Sequence, residues 1–198
     1  MNLLLINYEY PPTGGGAANA TWHIARELTG LGHEVSILTS SFTGLRGWKN
    51  EEGVSIYRCK TVRRKKETSS ILEMLIFTIA AAVSLPSIVK SKHIQGSICF
   101  FSMPCGVLGL LGRVLFQIPY VVSLRGGDVP GADPAVLHIH RWLRPVRRMV
   151  LRRCLQIVAN SAGLRQIARL ADPFPISIIP NGVDTGFFKP AEQIFIEF

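Results

Sequence analysis

Cysteine is scarce and shows no pairing pattern. Cys59, Cys99, Cys105 and Cys154 are the four among 198 residues, and no two stand at CxxC spacing. With no histidine at ligand spacing beside them, a zinc site is excluded, and we read them as reduced and mostly buried. His138 and His140 point to different faces of a helix and make a poor metal pair, so no metal is expected. Acidic residues are also few, 13 against 22 Lys and Arg, which leaves a formal charge of +9. Such an excess suits an anionic partner: nucleic acid, phosphate or a lipid surface. No basic motif is interleaved with aromatics, which argues against nucleic acid. The longest apolar run, Met74 to Val89, falls short of the roughly 20 residues of a membrane span and is broken by Pro86. It reads as a buried or interfacial helix. The start "MNLLLINYEY" lacks a basic n-region and soon meets Asn7 and Glu9, so a buried first strand is expected there rather than a signal peptide. No internal repeat or low-complexity tract is present.

What the chain does have is enough apolar content, 47%, to bury a core. Apolar, β-branched runs recur at Leu3–Asn7, Glu34–Thr39, Val54–Cys59, Ser97–Phe101, Tyr120–Leu124, Leu155–Asn160 and Ile176–Ile179. Helical patterns at Ala17–Gly30, Ser70–Lys92, Gly106–Phe116, Pro134–Arg153 and Ser161–Ala171 separate most of them. Gly30 and Gly32 close the first helix, and Asp172-Pro173 stops the last. The alternation predicts an α/β domain: one Rossmann-like, doubly wound parallel sheet of about seven strands, helices on both faces and right-handed crossovers. In Pro134–Arg153 one apolar stripe, Val136, Ile139, Leu143, Val146 and Val150, stands opposite Arg141, Arg144, Arg148 and Arg152.

The first strand runs into Gly14, Gly15 and Gly16 and then a helix. That order sets backbone N–H groups and a helix N-terminus at the ligand edge of the sheet. The glycines therefore form either an anion site or a bare tight turn. They do not make the dinucleotide fingerprint G-x-G-x-x-G/A, because Asn19 holds the third position. The second strand also ends "SILTSS" with no carboxylate for a ribose. A nicotinamide or flavin enzyme is set aside, and no cofactor is expected.

Read with "YVVSLRGGDVPG" (Tyr120–Gly131), "IVANSAGLRQIA" (Ile157–Ala168) and "IIPNGVDTGFFKP" (Ile178–Pro190), the opening stretch resembles the amino-terminal half of retaining glycosyltransferases of family 4. The resemblance covers the chain to about Pro190. It implies the GT-B architecture, in which two Rossmann-like domains face each other across a cleft, the first binding mostly acceptor and the second the sugar nucleotide. Gly14–Gly16 would then line the cleft and offer N–H groups to the donor's diphosphate or the acceptor. Asp128, after the fifth strand, is the candidate to orient an acceptor hydroxyl or accept its proton. A loop Asp capping a turn is the plainer alternative. Many family members carry histidine where this sequence has Arg125. Arginine stays protonated and suits a phosphate, which favours a phosphorylated or lipid-diphosphate acceptor. Ser161 either bonds acceptor or caps a helix, and capping is the expectation.

Two further expectations concern partners. Arg63, Arg64, Lys65 and Lys66, with Arg141, Arg144, Arg148 and Arg152, either form solvated faces or dock on an anionic membrane, which would place the protein in the cytoplasm, peripheral on the inner membrane face. By the resemblance, residues 1–180 are the amino-terminal domain and 181–198 an interdomain linker with a truncated end. The donor-binding domain is missing or separate, so the chain alone is expected to be inactive. Completed, it would move a sugar from a nucleotide-sugar to a glycan or lipid acceptor. The contrasting reading is a non-catalytic basic domain that binds membranes or a partner.

Overall fold

The computed structural model describes residues 1–63, 65–132, 137–183 and 185. Eight strands form one sheet in the order β3-β4-β2-β1-β5-β6-β7-β8. They are β1 (Asn2–Ile6), β2 (Glu34–Ser40), β3 (Gly47–Glu51), β4 (Val54–Cys59), β5 (Gly96–Phe100), β6 (Tyr120–Leu124), β7 (Gln156–Ala159) and β8 (Ser177–Ile178). The five helices are α1 (Gly16–Gly30), α2 (Ile71–Ser91), α3 (Cys105–Phe116), α4 (Leu137–Arg153) and α5 (Ala162–Ala171). This is the expected α/β domain with one strand more than its apolar runs suggested. The extra strand, β3, pairs antiparallel with β4 through a two-residue turn at Glu52 and Gly53, with φ 51° and 82°. "GWKNE" lies on the edge and is largely exposed, so it carries no apolar alternation to read.

The middle of the sheet is apolar on both faces, as a covered parallel sheet requires. Leu4, Leu5, Ile6, Ile37, Leu38, Ile56, Cys99, Phe100 and Val122 are almost wholly buried. Close approach of α3 to this sheet depends on glycine. A Cβ at Gly109 would lie 2.5 Å from Cys99 Sγ and 2.7 Å from the Tyr120 ring, and one at Gly106 would lie 2.6 Å from Val150. Burial pushes the Cys99 thiol up to about 12, and all four cysteines are free. Their predicted reduced, mostly buried state agrees.

α2, α3 and α4 pack side by side on one face. Strand residues alternate between faces, so Cys99, against α3, leaves Ile98 on the opposite side, where α1 lies. Because β1 is flanked by β2 and β5, the connections after β1 and β5 diverge at the carboxyl edge. Ligands of open α/β sheets bind in such a crevice.

α2 forms within the expected Ser70–Lys92, 21 residues with Pro86 inside the helix. By length and composition alone it could cross a bilayer. One side of it, Phe77, Ala81, Leu85, Ile88 and Val89, is buried in the core and packs in the sheet layer.

Candidate functional site

The loop after β1 is organised by Asn7. Its Nδ2 donates to Thr21 Oγ1 at 2.7 Å and to the Ala17 carbonyl at 3.3 Å, and its Oδ1 accepts from the Glu9 amide at 3.0 Å. These bonds fix where α1 begins. Gly14 has φ 88°, and a Cβ there would fall 2.7 Å from Glu9 Cβ and 3.0 Å from Ala18 Cβ, so no other residue fits. The Gly14 amide donates to the Lys66 carbonyl at 2.8 Å, and the Gly15 amide, beside the Glu9 carboxylate, offsets part of the rise in its pKa. Two of the three glycine amides are thus engaged within the protein. Of the three, Gly16 lines the open cleft, at the start of a helix whose first turn has no side-chain cap. The expected cradle narrows to this helix N-terminus.

Glu9 is the residue that pattern reading passed over. Burial raises its carboxyl above the usual range, while the Arg63 guanidinium at 3.9 Å and the Gly15 amide pull it back in part. Arg63 donates to the carbonyls of Tyr8, Lys65 and Lys66, and its side chain is 2% exposed. It cannot belong to a lipid-facing surface, as expected of it; it braces the loop from inside. Arg64 lies outside the described residues.

Arg125 follows β6 and reaches the cleft. Its guanidinium sits 4.8 Å from the centre of the Phe100 ring, and Nη1 donates to Asn181 Oδ1 at 2.9 Å. Nε is buried without a partner among the described residues. Burial lowers this guanidinium's pKa, and Asp128 opposes the shift. The cleft has a volume of about 430 Å³. Its floor is Ile98, Val121 and Val158 on the sheet face opposite α3, and Asn19, His23, Ser123 and Asn181 bring polar groups to its walls. The structure therefore joins Gly16 and Arg125 in one site and adds Asn181, from the segment expected to be the interdomain linker.

Asp128 does not join them. It is 2% exposed, Oδ1 accepts from the Arg125 amide at 3.0 Å and Oδ2 from the Ser102 amide. Both oxygens accept from backbone amides, as in the turn-capping alternative, and Asp128 does not line the cleft. Ser161 caps α5, accepting from the Leu164 amide at 3.1 Å. It does not line the cleft.

The arginine face of α4 is divided. Arg148 pairs with Asp172 at 2.9 Å, and buried Arg147 binds the other Asp172 oxygen at 2.7 Å and the His140 carbonyl. Arg141, Arg144 and Arg152 are exposed. Residues 134–136, where this helix was expected to start, lie outside the described residues.

The cleft thus combines a Rossmann-like sheet, an uncapped helix N-terminus and an arginine at the carboxyl edge. The sequence model of Glycosyltransferase Family 4 matches residues 14–187, and the chain belongs to that family. Among solved structures, sucrose-phosphate synthase from Thermosynechococcus elongatus superposes with a TM-score of 0.77 at 12% identity, covering 96% of this chain and 50% of that one. The catalytic domain of starch synthase IV from Arabidopsis thaliana, bound to ADP and acarbose, gives 0.62 at 12% identity over 98% and 54%. MurG from Acinetobacter baumannii gives 0.51 at 14% identity over 98% and 47%. The chain spans about half the length of these proteins. No curated protein matches the sequence.

Proposed function

We propose that this chain is the acceptor-side wall of a retaining sugar transferase that uses a nucleotide-sugar without a metal. The wall is completed by a donor-binding domain, in the same or another polypeptide. The observation that carries the reading is Arg125, stacked on Phe100 and tethered by Asn181 beside the open first turn of α1. A fixed cation and a helix N-terminus converging on one cleft select an anion. That anion is a phosphate of the acceptor or of the donor's diphosphate, and the same groups would stabilise the charge that develops as the nucleoside diphosphate leaves. The apolar floor of Ile98, Val121 and Val158 suits the carbon skeleton of a glycan or lipid acceptor. With one wall, donor and acceptor are not held together, so transfer by these 198 residues alone is expected to be negligible.

Inorganic pyrophosphate tests the site. On titration, amide NMR shifts are expected at Gly16 and Ala17 and at the Arg125 Nε–H. Arg125→Gln should weaken binding about tenfold or more, the loss of one charge-assisted contact. Shifts confined to the loop 60–66, or binding unchanged in Arg125→Gln, would place the anion elsewhere.

A further inference from the structure

The solvent side of α2 lacks the charge that an exposed helix face normally carries. From Met74 to Ser87 there is no charged residue. Ile71, Leu72, Leu75, Ile79 and Val83 are 54–77% exposed, although they are large and apolar. They recur at steps of three and four, away from the buried Phe77, Ala81 and Leu85. The stripe runs about 18 Å along the helix. Monomeric soluble domains rarely leave such a face open without a use.

The segment leading into α2 supplies the complementary feature. Lys60, Lys65 and Lys66 are exposed, Val62 is 60% exposed beside them, and one acid, Glu67, lies in the same stretch. Buried Arg63, bonded to the carbonyls of Lys65 and Lys66, holds that backbone so that the lysines face outward. A basic loop continuous with an uncharged apolar stripe fits the headgroup and acyl boundary of an anionic bilayer. A purely apolar groove would satisfy the stripe but not the lysines. We propose that α2 and the basic residues leading into it dock this protein on anionic lipid, Leu75, Ile79 and Val83 entering the acyl boundary and Lys65 and Lys66 meeting headgroups. This moves the membrane surface from the arginines of α4, of which Arg148 is engaged internally, to α2. The surface is argued from α2 and its flanking loop alone, so docking and sugar transfer stand or fail separately.

The full chain is tested by co-sedimentation with vesicles of phosphatidylcholine alone and of phosphatidylcholine with phosphatidylglycerol. Binding is expected only to the anionic vesicles and should weaken with salt. The double variant Leu75→Asp/Ile79→Asp should lose about tenfold or more in partitioning, as should Lys65→Glu/Lys66→Glu, while Arg152→Glu changes little. All of these side chains are exposed, so folding is checked by circular dichroism and should be retained. An environment-sensitive dye on Ile79→Cys should shift to the blue with anionic vesicles, whereas one on Glu27→Cys, on α1, should not. Equal binding to neutral vesicles, undiminished binding by the Asp variant, or equal dye shifts at both positions would overturn the proposal. So would a lipid-free dimer that the Asp variant dissociates, since a second copy would then cover the stripe. Resistance to alkaline carbonate extraction would also overturn it, by making α2 a membrane span.

Discussion

At the scale of single residues, Asp128 works on the protein's own backbone. Asp128 gives both oxygens to the amides of Ser102 and Arg125, tying the loop after β5 to the loop after β6. Asp128→Ala strands two buried donors and should cost about 3 kcal/mol, read by urea unfolding. If the role is structural, pyrophosphate affinity of the folded fraction is unchanged. Glu9 behaves differently, because burial raises its pKa above the ordinary 4.5. A raised carboxyl favours the folded state most at pH below that ordinary value, and the contribution is lost as pH rises through the folded pKa. Glu9→Gln removes this dependence while keeping an acceptor for the Gly15 amide. The stability of the variant relative to the parent should therefore rise between pH 4 and pH 8 in paired denaturation curves; a flat difference would mean that Arg63 fully offsets the burial. The identity of Asp128 and its place after a strand were legible in the sequence. Which way its carboxylate turns was not, because that depends on Ser102, 26 residues away.

At the scale of elements, local chemistry accounts for most of what forms. α2 starts at Ser70 because Ser70 Oγ accepts from the Glu73 amide while Glu73 accepts from the Ser70 amide, a reciprocal cap written as S-x-x-E. Ser70→Ala should lower stability by about 1 kcal/mol. Because the cap sets the entry to α2, the same change should also weaken partitioning onto anionic vesicles; an unchanged unfolding midpoint would show that packing alone holds the helix end. α5 begins at Ser161 by the same logic, which its sequence position already suggested. β3 escaped the reading because an exposed edge strand has no buried face to impose alternation. α2, by contrast, was legible over nearly its full length, Pro86 included. A proline within a helix need not end it when Leu85, Ile88 and Val89 on either side are packed into the core.

At the scale of the whole molecule, the fold separates two surfaces that the composition merges into one net charge of +9. Arg125 and the start of α1 face the cleft. The exposed lysines of the loop 60–66 face outward at the entry to α2. Arg147 and Arg148 share Asp172, and Arg63 pairs with Glu9, inside the protein. On the proposed reading, the cleft faces the donor-binding half, and α2 brings it to a membrane that carries the acceptor. Periodicity and β-branched runs were enough to establish the parallel α/β sheet and its helices, since burial on one face or two leaves a repeat in the chain, while the glycosyltransferase family was legible in the four motifs around Gly14, Arg125, Ser161 and Asn181. Which amides remain free, which acid is buried, which arginine reaches the cleft and which helix shows an apolar face to solvent were settled by folding. Each of these depends on contacts between segments distant in sequence, and a repeat of two or of three to four residues carries no record of them.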